Sequence, residues 1–151
     1  MYKIREWLYV SNFASASIPS TIQKLGIQGM LQLYQPIDNP AIDCKFIGLQ
    51  DGIPITVPQL QAGIAFIHDQ RKNKHRILST CGAGISRSVT MAIVALKEVE
   101  HLSLFDAYRA VYQRHAKAMP DHVHWQSIAH YYGEDDDFWE IWGDITLLDG
   151  G

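Results

Sequence analysis

Thr80-Cys81-Gly82-Ala83-Gly84-Ile85-Ser86-Arg87-Ser88 stands between Arg76-Ile77-Leu78-Ser79 and an uninterrupted apolar stretch from Val89 to Val99. The first flank reads as a strand, the second as a helix buried almost all round, and the residues between them as a glycine-containing turn. A strand that turns directly into a helix gathers successive backbone N–H groups around one point. Gly82, Ala83 and Gly84 keep side chains out of that space, and the helix start adds the positive end of its dipole, so the turn is a cradle for an anion. Arg87 contributes a planar donor fork that matches two phosphate oxygens and stays charged at every relevant pH. Cys81 sits at the mouth of the cradle, where the same amides, dipole and guanidinium favour its thiolate, a nucleophile aimed at a bound phosphorus. Other glycine motifs fit worse. Arg87 stands where a dinucleotide fingerprint needs its third glycine, Ser88 replaces the last glycine of a Gly-x-Ser-x-Gly elbow, and no Lys-Ser/Thr pair supports a triphosphate loop.

Upstream, Trp7 to Val10 predicts a short strand, Ser20 to Leu25 a brief helix stopped by Gly26, and Ile27 to Leu33 a second strand. Cys44 to Leu49 is a third strand candidate, and Asp51-Gly52-Ile53-Pro54 carries the signals of a turn. From Pro58, apolar residues at helical spacing run to a basic end at Arg71-Lys72. Downstream, Ser103 is an N-cap candidate for a helix through His115, and Pro120-Asp121 opens another through Tyr132. This alternation predicts an α/β domain, a central mostly parallel sheet flanked by helices. The expected division is a catalytic domain over residues 1–133 and an acidic and aromatic extension over 134–151, with no internal repeat.

At 151 residues, 47% of them hydrophobic and 19% charged, the chain has the profile of one globular domain able to fold without disulfides or a structural metal. A formal net charge of −3 argues against broad attachment to nucleic acid or to anionic membranes. Any anionic ligand must therefore be held locally. The longest apolar runs fall short of a membrane span, and Met1 to Trp7 lacks the apolar region and cleavage site of a secretory signal. Two cysteines, Cys44 and Cys81, fit a reducing cytoplasm, the expected compartment.

Cys81-x5-Arg87-Ser88, with Gly84 and Ser86 inside, resembles the signature of the cysteine-dependent dual-specificity phosphatases of the protein tyrosine phosphatase superfamily. The order of segments from Trp7-Leu8-Tyr9 to about Tyr132, including Met119-Pro120-Asp121, is similar to that family as well. The resemblance implies a compact protein tyrosine phosphatase-like fold. It also implies removal of phosphate from phosphotyrosine, phosphoserine or phosphothreonine in proteins through a phosphocysteine, with no cofactor and no metal. Carried onto this chain, Cys81 is the nucleophile, and Arg87 with the loop of Gly82, Ala83, Gly84, Ile85 and Ser86 holds the phosphate. Asp51, in the loop ahead of the helix that precedes the nucleophile, is the general acid and then the base; Asp38 and Asp43 are weaker substitutes. Ser88 stabilises the departing Cys81 thiolate. The family's lipid phosphatases commonly carry basic residues in the loop, whereas this loop is uncharged up to Arg87, which favours protein substrates. Two positions depart from the family. Thr80 replaces the usual histidine before the nucleophile, bringing a bracing hydroxyl without a charge. Asp121 replaces the usual asparagine after the late proline, and an Asp near the cradle would oppose the anion. Those departures motivate one rival, a catalytically weak phosphoprotein-binding module; a phosphatase for RNA 5′ or lipid phosphates is another.

The remaining candidates each carry two readings. Cys44 reads either as a partner that resolves oxidised Cys81 or as a buried strand cysteine, the favoured reading. His122, His124 and His130 are either a metal cluster or, as favoured, surface and packing residues, since positions two apart face different sides of a helix. Lys72, Lys74, His75 and Arg76 are either a docking patch for a phosphoprotein or a solvated helix end. Glu134-Asp135-Asp136-Asp137, followed by Phe138, Trp139, Ile141, Trp142 and Ile145, either docks on its own domain or provides a surface for self-association.

Overall fold

The computed structural model describes residues 1–135 and 137–150; Asp136 of the acidic run and Gly151 lie outside the described residues. Among the described residues, five strands form one sheet in the order β1-β2-β5-β3-β4. They are β1 (Tyr2–Arg5), β2 (Leu8–Asn12), β3 (Ile27–Gln32), β4 (Asp43–Phe46) and β5 (Arg76–Cys81). Only the β1–β2 pair is antiparallel. Alternation along each strand sorts the side chains onto two faces. Leu8, Val10, Leu31, Ile77 and Cys81 point into the larger core, while Tyr9, Met30 and Leu78 join Ala16 and Ile22 in a smaller one. The smaller core is covered by α1 (Phe13–Ala16) and α2 (Pro19–Lys24).

The larger core is covered by α3 (Val57–Lys72), α4 (Arg87–Glu100), α5 (Leu104–Arg114), α6 (His122–Tyr132) and α7 (Phe138–Gly150). Thr56 starts α3 with a reciprocal capping box to Gln59, and Ser103 accepts from Asp106 N to start α5. Helix α4 is the hub. Every residue from Ser88 to Leu96 is buried, and the helix begins at Arg87, inside the turn that the sequence assigned to a loop. The dipole end therefore coincides with the guanidinium it was expected to assist.

Three elements differ from expectation. Strand β1 was not expected, because Tyr2, Lys3, Ile4 and Arg5 show little apolar alternation; as an edge strand it buries Ile4 and leaves Tyr2 and Lys3 outside. Helix α1 has only four residues, too few for a periodic signal, and rests on an Asn12 cap that accepts from Ser15 N. The third strand ends at Phe46 rather than Leu49, although Ile47 N and Leu49 N still donate to Gln32 O and Leu33 O. That continuation leads the chain to Asp51.

Helix α7 packs on the core. Phe138 lies parallel to Tyr108 at 6.5 Å and within 5.7 Å of Trp125, and Ile141 and Ile145 are buried. Glu134 pairs with Lys97 at 2.6 Å and accepts from Leu104 N at the start of α5. No described helix is long and apolar enough to cross a membrane.

Candidate active site

Cys81 ends β5 with its side chain in the larger core, 2% exposed, and its Sγ lies 3.1 Å from Ser88 Oγ in the first turn of α4. Thr80 points to the opposite face, where its hydroxyl reaches Ser11 O at 3.2 Å and Asn12 O at 3.1 Å. The expected brace is thus tied to the end of β2, without charge. Ser79 Oγ donates to Ser88 O at 2.9 Å, which anchors the start of α4 to β5.

The turn between them is held from outside by its carbonyls. Gly82 O accepts from Phe13 N at 3.1 Å, Gly84 O from His115 Nε2 at 2.8 Å, and Ile85 O from Met119 N at 3.0 Å. In a planar trans peptide the C=O and the following N–H point in opposite directions. The N–H groups of Ala83, Ile85 and Ser86 are thereby turned to the inside of the loop, as an anion cradle requires. Gly84 has φ +74°, and a Cβ there would lie 2.7 Å from Asn12 N and 2.8 Å from Ser11 C. Both the left-handed backbone and the close approach of β2 exclude a side chain.

Arg87 extends across the cradle toward the Asp51 loop. Its Nη1 donates to Leu49 O at 3.0 Å, its Nε is 3.6 Å from Asp51 Oδ1, and its Cζ is 5.2 Å from the ring centre of Tyr34. Tyr34 stands edge-on to Phe13 and remains 42% exposed, so one aromatic face borders the site. The structure therefore brings together Cys81, Ser88, Arg87 and Asp51. Asp43 lies in the outer strand β4, where it accepts from Gln70 Nε2 at 3.0 Å.

Several further residues hold the backbone around this site, and His115 and Ser127 among them carry no sequence motif of their own. His115 stacks on Tyr2 at 3.7 Å while donating Nε2–H to Gly84. Burial holds its imidazole below the usual histidine range, helped by the chain's amino terminus and Lys117, and against the Gly84 carbonyl, which favours the charged form. His124 is fully buried and donates Nε2–H to Gln50 O at 2.8 Å. Ser127 Oγ accepts from Ile55 N at 3.0 Å. Asp121 accepts from Val123 N and His124 N on Oδ1, at 2.8 and 3.2 Å, and from Gly52 N on Oδ2 at 2.9 Å. Burial pushes this carboxyl up, but the N–H groups of His124, Val123 and Gly52 outweigh it and hold Asp121 below the usual carboxylate range. Asp121 thus stays a carboxylate beside the cradle, with its oxygens turned to three backbone donors.

The three histidines do not converge: His124 binds Gln50 O, His122 lies by Trp139, and His130 lies by Asp135. Cys44 is exposed rather than buried. Its register runs through Met30 to Leu78, two strands across and three residues before Cys81, which separates the two cysteines by about 14 Å. A disulfide between them requires backbone rearrangement. Arg76 donates to Leu25 O and His75 Nδ1 bonds with Gln70 Oε1, so half of the basic run is engaged within the chain.

Comparison with known proteins places this arrangement. The family model for the dual specificity phosphatase catalytic domain matches residues 8–134. Human dual specificity protein phosphatase 7 is 41% identical over 125 residues, covering 79% of this chain and 30% of that protein, so the chain spans under a third of that relative's length. Rat dual specificity protein phosphatase 18 is 25% identical over 141 residues, covering 85% of this chain and 65% of that protein. Among solved structures, human DUSP28 superposes with a TM-score of 0.80 at 16% identity, covering 88% of this chain and 96% of that one.

Proposed function

Because the chain belongs to the dual specificity phosphatase family, matched over its catalytic domain, we propose that it hydrolyses phosphotyrosine and phosphoserine or phosphothreonine esters in proteins through a phosphocysteine. The observation that carries this reading is the 3.1 Å contact of Cys81 Sγ with Ser88 Oγ beneath three inward-turned N–H groups. The amides of Ala83, Ile85 and Ser86 and the Arg87 fork hold the non-bridging oxygens and take up the charge that builds on them. The Cys81 thiolate attacks phosphorus; the S–P bond forms as the ester O–P bond breaks, and the Asp51 carboxylic acid gives its proton to the leaving oxygen. Asp51, now a carboxylate, takes a proton from water as that water attacks phosphorus. The S–P bond breaks, and the Ser88 hydroxyl donates to the released thiolate.

Turnover of para-nitrophenyl phosphate tests the reading. Cys81→Ser abolishes turnover while phosphate binding persists, and Asp51→Asn slows substrates with high-pKa leaving groups most. A wild-type protein no more active than Cys81→Ser overturns it in favour of a phosphoprotein-binding module.

A further inference from the structure

Gln50 O accepts from Ile53 N at 3.2 Å, which closes a β-turn with Asp51 and Gly52 at its tip and brings the two ends of the turn side by side. Those ends wall a recess of about 240 Å³, completed by Gly48, Leu49, Pro54 and the start of α3 at Thr56 and Gln59. None of these residues is charged. The side-chain polar atoms of Thr56 and Gln59 are already engaged: Gln59 Oε1 accepts from Thr56 N at 2.9 Å, Gln59 Nε2 donates to Gly48 O at 3.4 Å, and Thr56 Oγ1 accepts from Gln59 N at 3.2 Å. What stands open is apolar. Ile53 is 56% exposed, and on the Gly48 side Phe46, 46% exposed, leans its ring over the glycine, where an added Cβ would lie 3.1 Å from Phe46 Cζ. The recess is also continuous with the catalytic groups. Leu49 O accepts from Arg87 Nη1 at 3.0 Å, and Asp51 lies in the chain between Gln50 and Ile53. An extended peptide advances about 3.3–3.6 Å per residue, so a substrate with its phosphate in the cradle carries a flanking side chain to the recess within about three positions.

We propose that this recess is a specificity subsite of the phosphatase reaction, taking an apolar side chain that flanks the phosphoresidue of a peptide substrate and holding it between Ile53 and Phe46. Resting on the phosphatase reading above, this role gives the enzyme a sequence preference in its substrates. The volume is below the roughly 300–1,000 Å³ of a small-molecule pocket and suits a single side chain. A charged side chain there would give up hydration without gaining a partner, whereas an aliphatic one covers Ile53 and Phe46 and is covered by them. The hydrogen bonds that tie Gly48, Thr56 and Gln59 together form the recess before substrate arrives, so little ordering opposes binding.

The experiment measures kcat/KM for one phosphotyrosyl peptide with leucine or serine placed in turn at each of the three positions on either side of the phosphoresidue. Wild type is expected to prefer leucine over serine about tenfold at one or two of these positions. Ile53→Ser should reduce that preference to less than about twofold, while kcat/KM for para-nitrophenyl phosphate, which has no flanking residue, falls by less than about twofold. Phe46→Ser, which leaves the acid turn alone, should erase the preference at the same position. A wild type without preference at any position leaves the recess to another occupant, such as a segment of a second copy of this chain, and overturns the inference. So does a preference that survives in either variant, or a loss in Ile53→Ser of equal size on peptide and on para-nitrophenyl phosphate. Should Ile53→Ser fail to fold, Phe46→Ser carries the same comparison. Those outcomes leave the phosphatase reading intact, whereas a wild type no more active than Cys81→Ser on para-nitrophenyl phosphate brings that reading down, and the subsite with it.

Discussion

Gly84 meets two independent demands, a left-handed backbone at φ +74° and the backbone of β2 within 2.8 Å of any added carbon. Gly52 meets only the first, since a Cβ at its φ of +77° would touch nothing within 4 Å. The pair therefore separates conformational strain from steric exclusion. Gly52→Ala is expected to cost about 1 kcal/mol in urea unfolding, and Gly84→Ala at least about twice that, with loss of inorganic phosphate binding. Equal costs would mean that β2 yields to the intruding carbon. Tyr34 supplies a different residue-scale expectation. Its exposed ring beside Arg87 can pack on the phenyl ring of phosphotyrosine but finds little to pack on in phosphothreonine. Tyr34→Ala should raise KM about three- to tenfold for a phosphotyrosyl peptide and leave a phosphothreonyl peptide of the same sequence nearly unchanged. A matched rise for both peptides would reduce Tyr34 to a spectator.

Helix α7 lays Phe138, Ile141 and Ile145 over Tyr108 and Trp125, so removing it uncovers an aromatic surface as well as losing three buried side chains. At roughly 1.5–3 kcal/mol for each buried side chain, truncation after Gly133 is expected to leave a chain that unfolds at lower urea and aggregates. A truncated chain of unchanged stability and smaller oligomer size would instead mark α7 as an association surface. Which elements were legible follows from their partners. Helices α3, α4, α5 and α6 bury long periodic or continuous apolar faces, and a face is written in side chains. Strand β1 and helix α1 are held through an edge pairing and one asparagine cap, which leave little trace in hydrophobic pattern. The same distinction runs through the site. Cys81, Arg87 and Ser88 are contiguous, and their spacing declares them. His115, Asp121 and His124 act on the backbone of Gly84, Gly52 and Gln50, and a backbone amide or carbonyl has no letter of its own.

Across the whole molecule, His115, Asp121 and Glu98 are displaced from their ordinary titration in the direction that couples stability to acid. His115 is held below the usual histidine range by burial, so the unfolded chain takes up its proton first as pH falls. Its contribution is complete above about 6.5, the ordinary histidine value, and is lost as pH descends through the lower folded value. Asp121 and Glu98 are likewise held low. In Glu98 burial pushes the carboxyl up, but bonds from the Tyr132 hydroxyl and His68 outweigh it. Their contributions are complete above the ordinary carboxylate values and are lost further down. The urea midpoint is therefore expected to be level with respect to these groups between pH 7 and 8, to fall on the way to pH 5 as His115 charges, and to fall again below about pH 4. His115→Gln isolates the first stage, because an amide can still donate to Gly84 O but does not titrate. That variant should keep the low-pH fall and lose most of the fall between pH 6.5 and 5. An unchanged upper stage in His115→Gln would assign it to other histidines and remove His115 from the acid response. Since His115 bonds Gly84 O and the Asp121 carboxylate bonds Gly52 N, the same protons that weaken the fold should loosen the backbone around the site, and phosphate binding should decline in step with the urea midpoint.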